Sequence, residues 1–476
     1  MGLLNVVKNE IKAAVGYQQN FAELLASKDV NRALNLMMDH SVMAQQNLKT
    51  YNVETHDIMS RKDKAIFDKK GNFLRWKKRW KIPVPYQKYI NEIALVFLYG
   101  RPVKWTQESE GTDEAFTAYK EMLKEIRFDA HVRECKRMAG AEGVSAILYH
   151  TYRGDDGNPK LVLNVLSKSN NDDIFTIKDQ YKRLRAFAWG YSLTEAGGKT
   201  AYHVDIYTAD TVYSCKRSTS IGWDVKISEN PIGKIPAIIF EQEVEHDGVQ
   251  PMIDRVEAMG SIDADVNDQF ANPAMVATAD ILNSLPKAEE EAKLFILKSG
   301  GELRYLTYDN APENKKNEYD RLDSNIMSKS FTPDVDFDKM KSLSDVSAKA
   351  LKQMMMLAVI KAEKRKESHD GYINRACNLL LAIMGNVLDY ANKAKYEAVK
   401  IGHEFQEPFG EDMSAVLEDI LKQYGAGALS LQTTIEKSYL VKNSKLEHAR
   451  IKEEQAEAMQ RQKEMMKMDI FGGGAE

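Results

Sequence analysis

Three strings in this chain carry residue types that could do chemistry. Leu193 to Thr200 reads LTEAGGKT, one residue short of a phosphate-binding loop, because Leu193 stands where the first glycine must be. Such a loop has to join a strand to a helix so that backbone N–H groups and the helix dipole can hold phosphates. Both neighbours here read as strands, so the string is expected to be a hairpin turn. Ser368-His369-Asp370 spells nucleophile, base and orienter, but adjacent positions on a helix point to different faces and cannot form the relay. A polar break in a helix, followed by Gly371, is the simpler expectation. Among the nine His there is no H-E-x-x-H and no H-x-E with a downstream cysteine pair. Cys135, Cys215 and Cys377 stand alone, which supports neither a disulfide scaffold nor a zinc site. No metal or cofactor is implied, and no enzyme.

Two charged features remain. Arg75, Lys77, Lys78, Arg79 and Lys81 interleave with Trp76 and Trp80, which combines cations with stacking rings as nucleic-acid sites do. An ordinary contact edge, with the Trp residues packed and their neighbours reaching to water, fits the same letters. From Pro251 to Phe270, Met252, Ile253, Val256, Met259, Ile262, Val266 and Phe270 mark one helical face, while Asp254, Glu257, Asp263, Asp265 and Asp268 make another face acidic. In isolation that is a solvated helix face.

These features must be positioned by a chain of 476 residues, enough for up to about three domains with cores. Lys plus Arg is 66 against 70 Asp plus Glu, so overall charge does not advertise nucleic-acid binding. No uncharged apolar stretch of ~18 residues occurs, and the first residues, MGLLNVVKNEIKAAVG, lack the Ser or Thr of a myristoylation signal; a soluble, cytosol-made protein with no membrane partner is expected. The period is helical from Leu3 to about Met59, over Ile90–Tyr99, and from Ala115 to Leu148. Between Ala146 and Phe240 it changes to short alternating runs such as AYHVDIYT and AIIFE, separated by turn signals, which reads as a β-rich region. Asn272-Pro273 ends the acidic helix, and a small β-hairpin insert of LFIL and LRYLTY around Gly300-Gly301 follows. Helix returns from about Glu313 to Lys329. After a loop, helical composition runs without Pro from Asp345 to about Lys395, about 75 Å if unbroken, with only Gly371 and Gly385 as places to bend. A charged helix from Asn443 to Met468 closes the chain. The fold class is α+β and helix-rich.

Five strings occur in an order that resembles the portal proteins of tailed bacteriophages, in the siphophage-type branch. YGRPVKWT (Tyr99 to Thr106) is similar to the family's G-K-P-V after the first apolar helix, and YHVDIYTADTVYSC (Tyr202 to Cys215) to its Y-x-x-I-Y-T-x-D-x-I-Y strand pair. NPIGKIPAIIFE (Asn230 to Glu241) resembles N-P-x-G-x-I-P-V-V-x-F. TPDVDFDKMKSLSDVSAKALK (Thr332 to Lys352) resembles T-P-D-L-x-D-E…S-G-V-A-L-K, with Ala348 in place of the usual Gly. LSLQTTIEKSYLVKNSKLEHARIKEE (Leu429 to Glu454) is similar to the C-terminal S-x-E-T…D-x-E-x-E-R-I-x-x-E, with Ser444 and Lys445 where acids are commoner. The resemblance covers roughly Ile82 to Glu454.

It implies a ring of subunits, usually twelve in the virion, at one capsid vertex around a double-stranded DNA channel, made and assembled in the host cytoplasm. The implied segments are a wing over 1–250, stem helices over 251–270 and 313–330, and a clip over 271–312. A tunnel loop over 331–343, a long kinked wing helix over 344–395, and a crown and tail over 396–476 complete the set. The implied channel wall comes from Asp254, Glu257, Asp263, Asp265 and Asp268, where like charge keeps DNA from sticking. The implied tunnel loop carries Phe331, Pro333, Asp334, Lys339 and Lys341, with Lys339 or Lys341 giving a few weak DNA contacts. Asn272, Pro273, Gly300, Gly301 and Tyr305 would meet the large terminase subunit and later a head-completion adaptor; the major capsid and scaffolding proteins are the other implied partners. A helical scaffold protein, or a nucleic-acid-processing enzyme with an unrecognised site, is the alternative reading.

Overall fold

The computed structural model describes residues 21–68, 70–194, 198–218, 222–270, 274–277, 303–306, 312–334, 353, 355–406, 408, 413–438, 441 and 444–472. The chain divides into two units, one built from Met1–Ser344 and Met354–Pro408, the other from Asp345–Gln353 and Phe409–Glu476.

In chain order, the first unit begins with α1 (Val30–Asn35), the short strand β1 (Met38–Asp39), α2 (Ser41–Tyr51) and two 3-10 turns, Val53–Thr55 and Asp57–Ser60. The hairpin β2 (Lys64–Phe67) and β3 (Phe73–Lys77) leads to α3 (Tyr86–Tyr99) and β4 (Lys104–Gln107). The helical period after Ala115 resolves into two helices, α4 (Asp113–Glu125) and α5 (Phe128–Glu142), separated at Arg127, whose φ is +50°. α5 stops at Gly143, which takes φ +89° and returns its N–H to Ala139 O at 2.8 Å, a left-handed ending that suits glycine. The strand that follows therefore begins earlier than the periodicity suggests.

Eight strands fill the next hundred residues: β5 (Val144–Arg153), β6 (Pro159–Leu166), β7 (Asp173–Lys178), β8 (Leu184–Thr194), β9 (Thr200–Tyr207), β10 (Thr211–Arg217), β11 (Trp223–Glu229) and β12 (Ala237–Glu241). They form an antiparallel three-stranded sheet in the order β12-β5-β6 and a six-stranded sheet in the order β1-β7-β8-β9-β10-β11. Phe187 and Ile174 from the larger sheet and Ala146, Leu148 and Leu166 from the smaller share one core between the two. The other face of the larger sheet is closed by Phe21, Leu25, Val30 and Ala33.

α6 (Gln250–Phe270), β13 (Ala274–Ala277), β14 (Leu303–Leu306) and α7 (Pro312–Lys329) follow. The strand read as LRYLTY is present, but its partner is β13, with Tyr305 opposite Met275. LFIL lies outside the described residues. α8 (Met356–Ile383) shares a further core with α4, β5 and β12, packing Ile373, Ala376, Cys377 and Leu380 against Tyr119, Tyr149 and Phe240. It ends at Ile383, short of the expected end near Lys395, and at 1.5 Å per residue spans about 42 Å; positions 345–352 of the expected rod lie outside the described residues. It passes straight through Ser368-His369-Asp370-Gly371, which corrects the expected polar break there, and ends in a π-helical turn over Met384–Leu388. The Asp389 N–H closes that turn on Met384 O at 2.8 Å, and its carboxylate holds Asn392 Nδ2 at 2.8 Å and Tyr396 OH at 3.0 Å, which turns the chain into α9 (Lys393–Ala398). The glycine that matters is Gly385, where an added Cβ would stand 3.4 Å from Lys393 Cα; at Gly371 nothing lies within 4 Å. β15 (Ile401–Glu404) then pairs with β4.

The second unit holds α10 (Met413–Gly425), α11 (Leu431–Lys437) and α12 (Ser444–Gly472). Ser430 caps α11 by accepting the Thr433 N–H at 3.2 Å. α12 shows no sided apolar pattern, as its charged sequence suggests.

Candidate functional site

The acidic helix α6 runs antiparallel to α7. Val249, Ile253 and Val256 meet Ile326 and Leu322, with Tyr86 and Ile90 of α3 completing the core. Farther along, Arg255 pairs with Glu318 at 2.9 Å and Lys315 with Asp263 at 2.6 Å. α3 is fixed to both helices: Tyr86 OH donates to Asp323 Oδ1 at 2.7 Å, and Gln87 Nε2 to Gln250 Oε1 at 2.9 Å.

The five acids of α6 do not form one solvated face. Glu257 is 1% exposed, and its Oε1 takes His56 Nδ1 at 2.6 Å and the Val84 N–H at 2.8 Å. This corrects the expectation that Glu257 belongs to an open acidic wall, because the segment 56–84 lies across that side of the helix and the carboxylate serves its donors. The same segment engages two more. Asp265 pairs with Arg61 at 2.8 Å and accepts the Trp80 N–H at 2.9 Å, while Asp268 accepts Trp80 Nε1–H at 2.6 Å. Asp263 faces α7. Asp254 accepts from Gln250 Nε2 at 2.8 Å, and burial pushes its carboxyl above the usual range. The acids that keep surface exposure are Asp254, Asp263 and Asp268, with Asp265 more covered.

α7 is followed by a turn in which Phe331 holds φ +55° while the Thr332 N–H closes back on Met327 O at 2.9 Å. The chain leaving it is tied down: Tyr89 OH donates to Pro333 O at 3.0 Å, and Lys361 Nζ of α8 donates to Ser330 O at 3.0 Å. The structure thus places Phe331, Pro333 and Asp334 at the exit of α7, whereas Lys339 and Lys341 lie outside the described residues. So do Asn272, Pro273, Gly300 and Gly301; Tyr305 is on β14.

Behind this exit sits a buried charge cluster that the sequence reading missed. Glu245 is fully buried and meets Lys136 Nζ at 2.5 Å, Lys361 Nζ at 3.0 Å and Arg365 Nε at 3.2 Å, so one carboxylate joins α5, α8 and the lead-in to α6. Burial alone would raise its carboxyl, but the three cations outweigh that and hold it well below the ordinary range. Burial lowers the Lys136 ammonium, against the opposing pull of Glu245. Only the spacing of Lys361 and Arg365 on one helical face hints at a common partner.

The two enzyme-like strings resolve into ordinary structure. Leu193 pairs with Ala201 and Thr194 with Thr200 across the β8–β9 hairpin, so Gly198, at φ +77°, leads into a second antiparallel strand and opens no helix. His369 is buried with Nδ1 against Tyr99 OH at 2.9 Å and Nε2 against Gln242 Oε1 at 3.0 Å, and burial holds it well below its ordinary pKa; Ser368 Oγ bonds back to Arg365 O. The triad string is a core anchor and a helix surface. The cysteines are buried and free. Among the described residues, no cluster of His, Cys, Asp or Glu could hold a metal, and no helix is long and apolar enough to cross a membrane.

No curated protein matches the chain. The sequence model of the family described as phage portal protein, SPP1 Gp6-like, matches residues 43–461 and so spans α2 through most of α12. With that match running through the two sheets, the α6/α7 pair and α8, the chain belongs to the SPP1 Gp6-like family of phage portal proteins.

Proposed function

We propose that the protein assembles into a dodecameric ring at one vertex of the capsid, around a hole through which the large terminase motor drives double-stranded DNA and through which DNA later leaves. The observation that carries this reading is the family match over residues 43–461. The antiparallel α6/α7 pair, with β13 and β14 paired between them in the chain, supports it, because two helices flanking an antiparallel strand pair suit a stem over 251–270 and 313–330 with a clip over 271–312. The wing would take 1–250 and the long wing helix 344–395, with the crown in 396–476.

Within the stem, Asp254, Asp263 and Asp268 supply the surface acids that face the hole in this reading, and Glu257 is withdrawn to an internal role. Ion pairing inside the protomer lowers the charge of that wall without making it cationic, so it offers DNA phosphates few counterion-releasing contacts and DNA slides. The tunnel loop over 331–343 starts at Phe331, Pro333 and Asp334, and Lys339 or Lys341 would touch DNA weakly. Asn272, Pro273, Gly300, Gly301 and Tyr305 would form the surface for the terminase and then the head-completion adaptor, while the major capsid and scaffolding proteins surround the ring. No catalysis or cofactor enters; the work is that of a docking platform and conduit.

Negative-stain imaging of the purified full-length protein, with mass by light scattering, tests this. A ring with an open centre near twelve protomer masses is expected. A monomer or dimer under all salt conditions counts against it.

A further inference from the structure

We propose that the hairpin β2–β3 is an arm with which one copy of this chain grips an acidic surface of a neighbouring copy. Among the described residues, the hairpin pairs with no other strand. A two-stranded hairpin alone in water is marginal, yet all five residues of β3 are exposed, so neither face is covered within the protomer. Phe67, Phe73, Leu74 and Trp76 are 57%, 50%, 60% and 63% exposed. The rings of Phe67, Phe73 and Trp76 gather into a knob, with Phe67 and Phe73 centroids 6.1 Å apart and Phe73 and Trp76 5.3 Å apart. An exposed apolar cluster of this kind marks an interaction surface.

The arm has a rigid base. Arg61 Nη1 donates to Trp80 O at 2.8 Å and Ser261 O at 3.2 Å, and Trp80 is clamped to Asp265 and Asp268 of α6. A bare tip on a fixed base is poised to engage something outside the protomer.

Charge selects the occupant. Between Arg61 and Lys81 the chain carries ten cationic and two acidic side chains, a net +8; with the whole chain at −4, everything else carries −12. Lys64, Arg75, Lys77 and Lys78 are exposed and form no ion pair among the described residues. A second copy therefore offers the arm a protein surface of opposite charge, and complementarity of this kind sets register and encounter. Duplex DNA would satisfy the cations but has its bases already stacked, so the apolar knob would stay in water. A protein surface covers both. The proposal rests on the ring assembly argued above and goes beyond it by assigning a contact surface.

The test uses the full-length chain carrying Trp76→p-benzoylphenylalanine, an exposed position, irradiated with and without duplex DNA. Covalent adducts between copies, formed equally with and without DNA, are expected. Adducts to DNA alone, or no adduct in protein that scatters as a ring, overturn the arm and leave the ring reading standing. A second variant, Phe67→Ser/Phe73→Ser/Trp76→Ser, is expected to keep its thermal midpoint and to fall from ring mass towards protomer mass; an unchanged ring mass overturns the arm. Absence of a ring in the unsubstituted protein overturns the proposed function, and the arm with it.

Discussion

His56 Nδ1 and Glu257 Oε1 stand 2.6 Å apart, both buried, and join the junction of two 3-10 turns to a helix position 201 residues downstream. The carboxylate also holds the Val84 N–H, so one acid of α6 organises both ends of the segment laid over it. Removing one partner of such a buried pair leaves the other without a counterpart. Glu257→Ala is expected to destabilise the fold by about 3 kcal/mol, whereas Asp268→Asn, at an exposed carboxylate, leaves the thermal midpoint nearly unchanged. Calorimetric midpoints of the two variants check this, and equal effects would contradict it.

His246 supplies a pH dependence. Burial, with Lys361 adding to it, holds its imidazole down to about 4 from 6.5. The unfolded chain therefore binds this proton near pH 6.5 while the folded chain waits until about 4, so the unfolded state carries more protons throughout that window. Stability should fall by about 3 kcal/mol as pH drops from 6.5 to 4. His369, held low by burial, acts in the same direction. His246→Gln, which can keep the contact to Thr50 Oγ1, should flatten the slope of thermal midpoint against pH.

Two glycines in helices should respond oppositely to alanine. A Cβ at Gly140 of α5 would overlap Asn91 Oδ1 and stand 3.1 Å from Glu245 Cγ, pushing α5 off α3, where Asn91 Nδ2 holds Arg137 O at 2.9 Å. Gly140→Ala should cost about 1–3 kcal/mol. At Gly371 there is open space, and Gly371→Ala should gain about 0.5–1 kcal/mol by helix propensity. Chemical unfolding of both variants gives the two signs.

The stem acids carry a functional prediction. Asp254→Lys/Asp263→Lys should leave the ring assembled in light scattering and impair DNA packaging, because two cations per subunit turn the wall into a phosphate-binding surface. Packaging at the unsubstituted rate would remove these acids from the channel.

Local patterning made much of the architecture legible. Alternating strings such as AYHVDIYT form β9, the three-to-four spacing after Pro251 forms α6, and the absence of Pro after Asp345 announces the helix that becomes α8. The glycines of LTEAGGKT, lacking a helix after them, already read as a turn. Less legible was where a helix would stop. Asp389 ends the π turn by gathering Asn392 and Tyr396, a choice made by side chains three and seven residues on, which helical periodicity does not weigh.

The sequence by itself determined which faces are apolar, which segments are strands or helices, and, through five ordered strings, the family, since these depend on residues near one another in the chain. Only the tertiary structure decided what the charges do. Glu257 and Asp265 would be ordinary helix acids but for the segment 56–84 that crosses them, and Glu245 becomes the centre of a cation cluster only when α5 and α8 converge. A charge is solvated or structural according to what is packed within a few ångströms of it, and for these residues the partners lie from about one hundred to two hundred positions away in the chain.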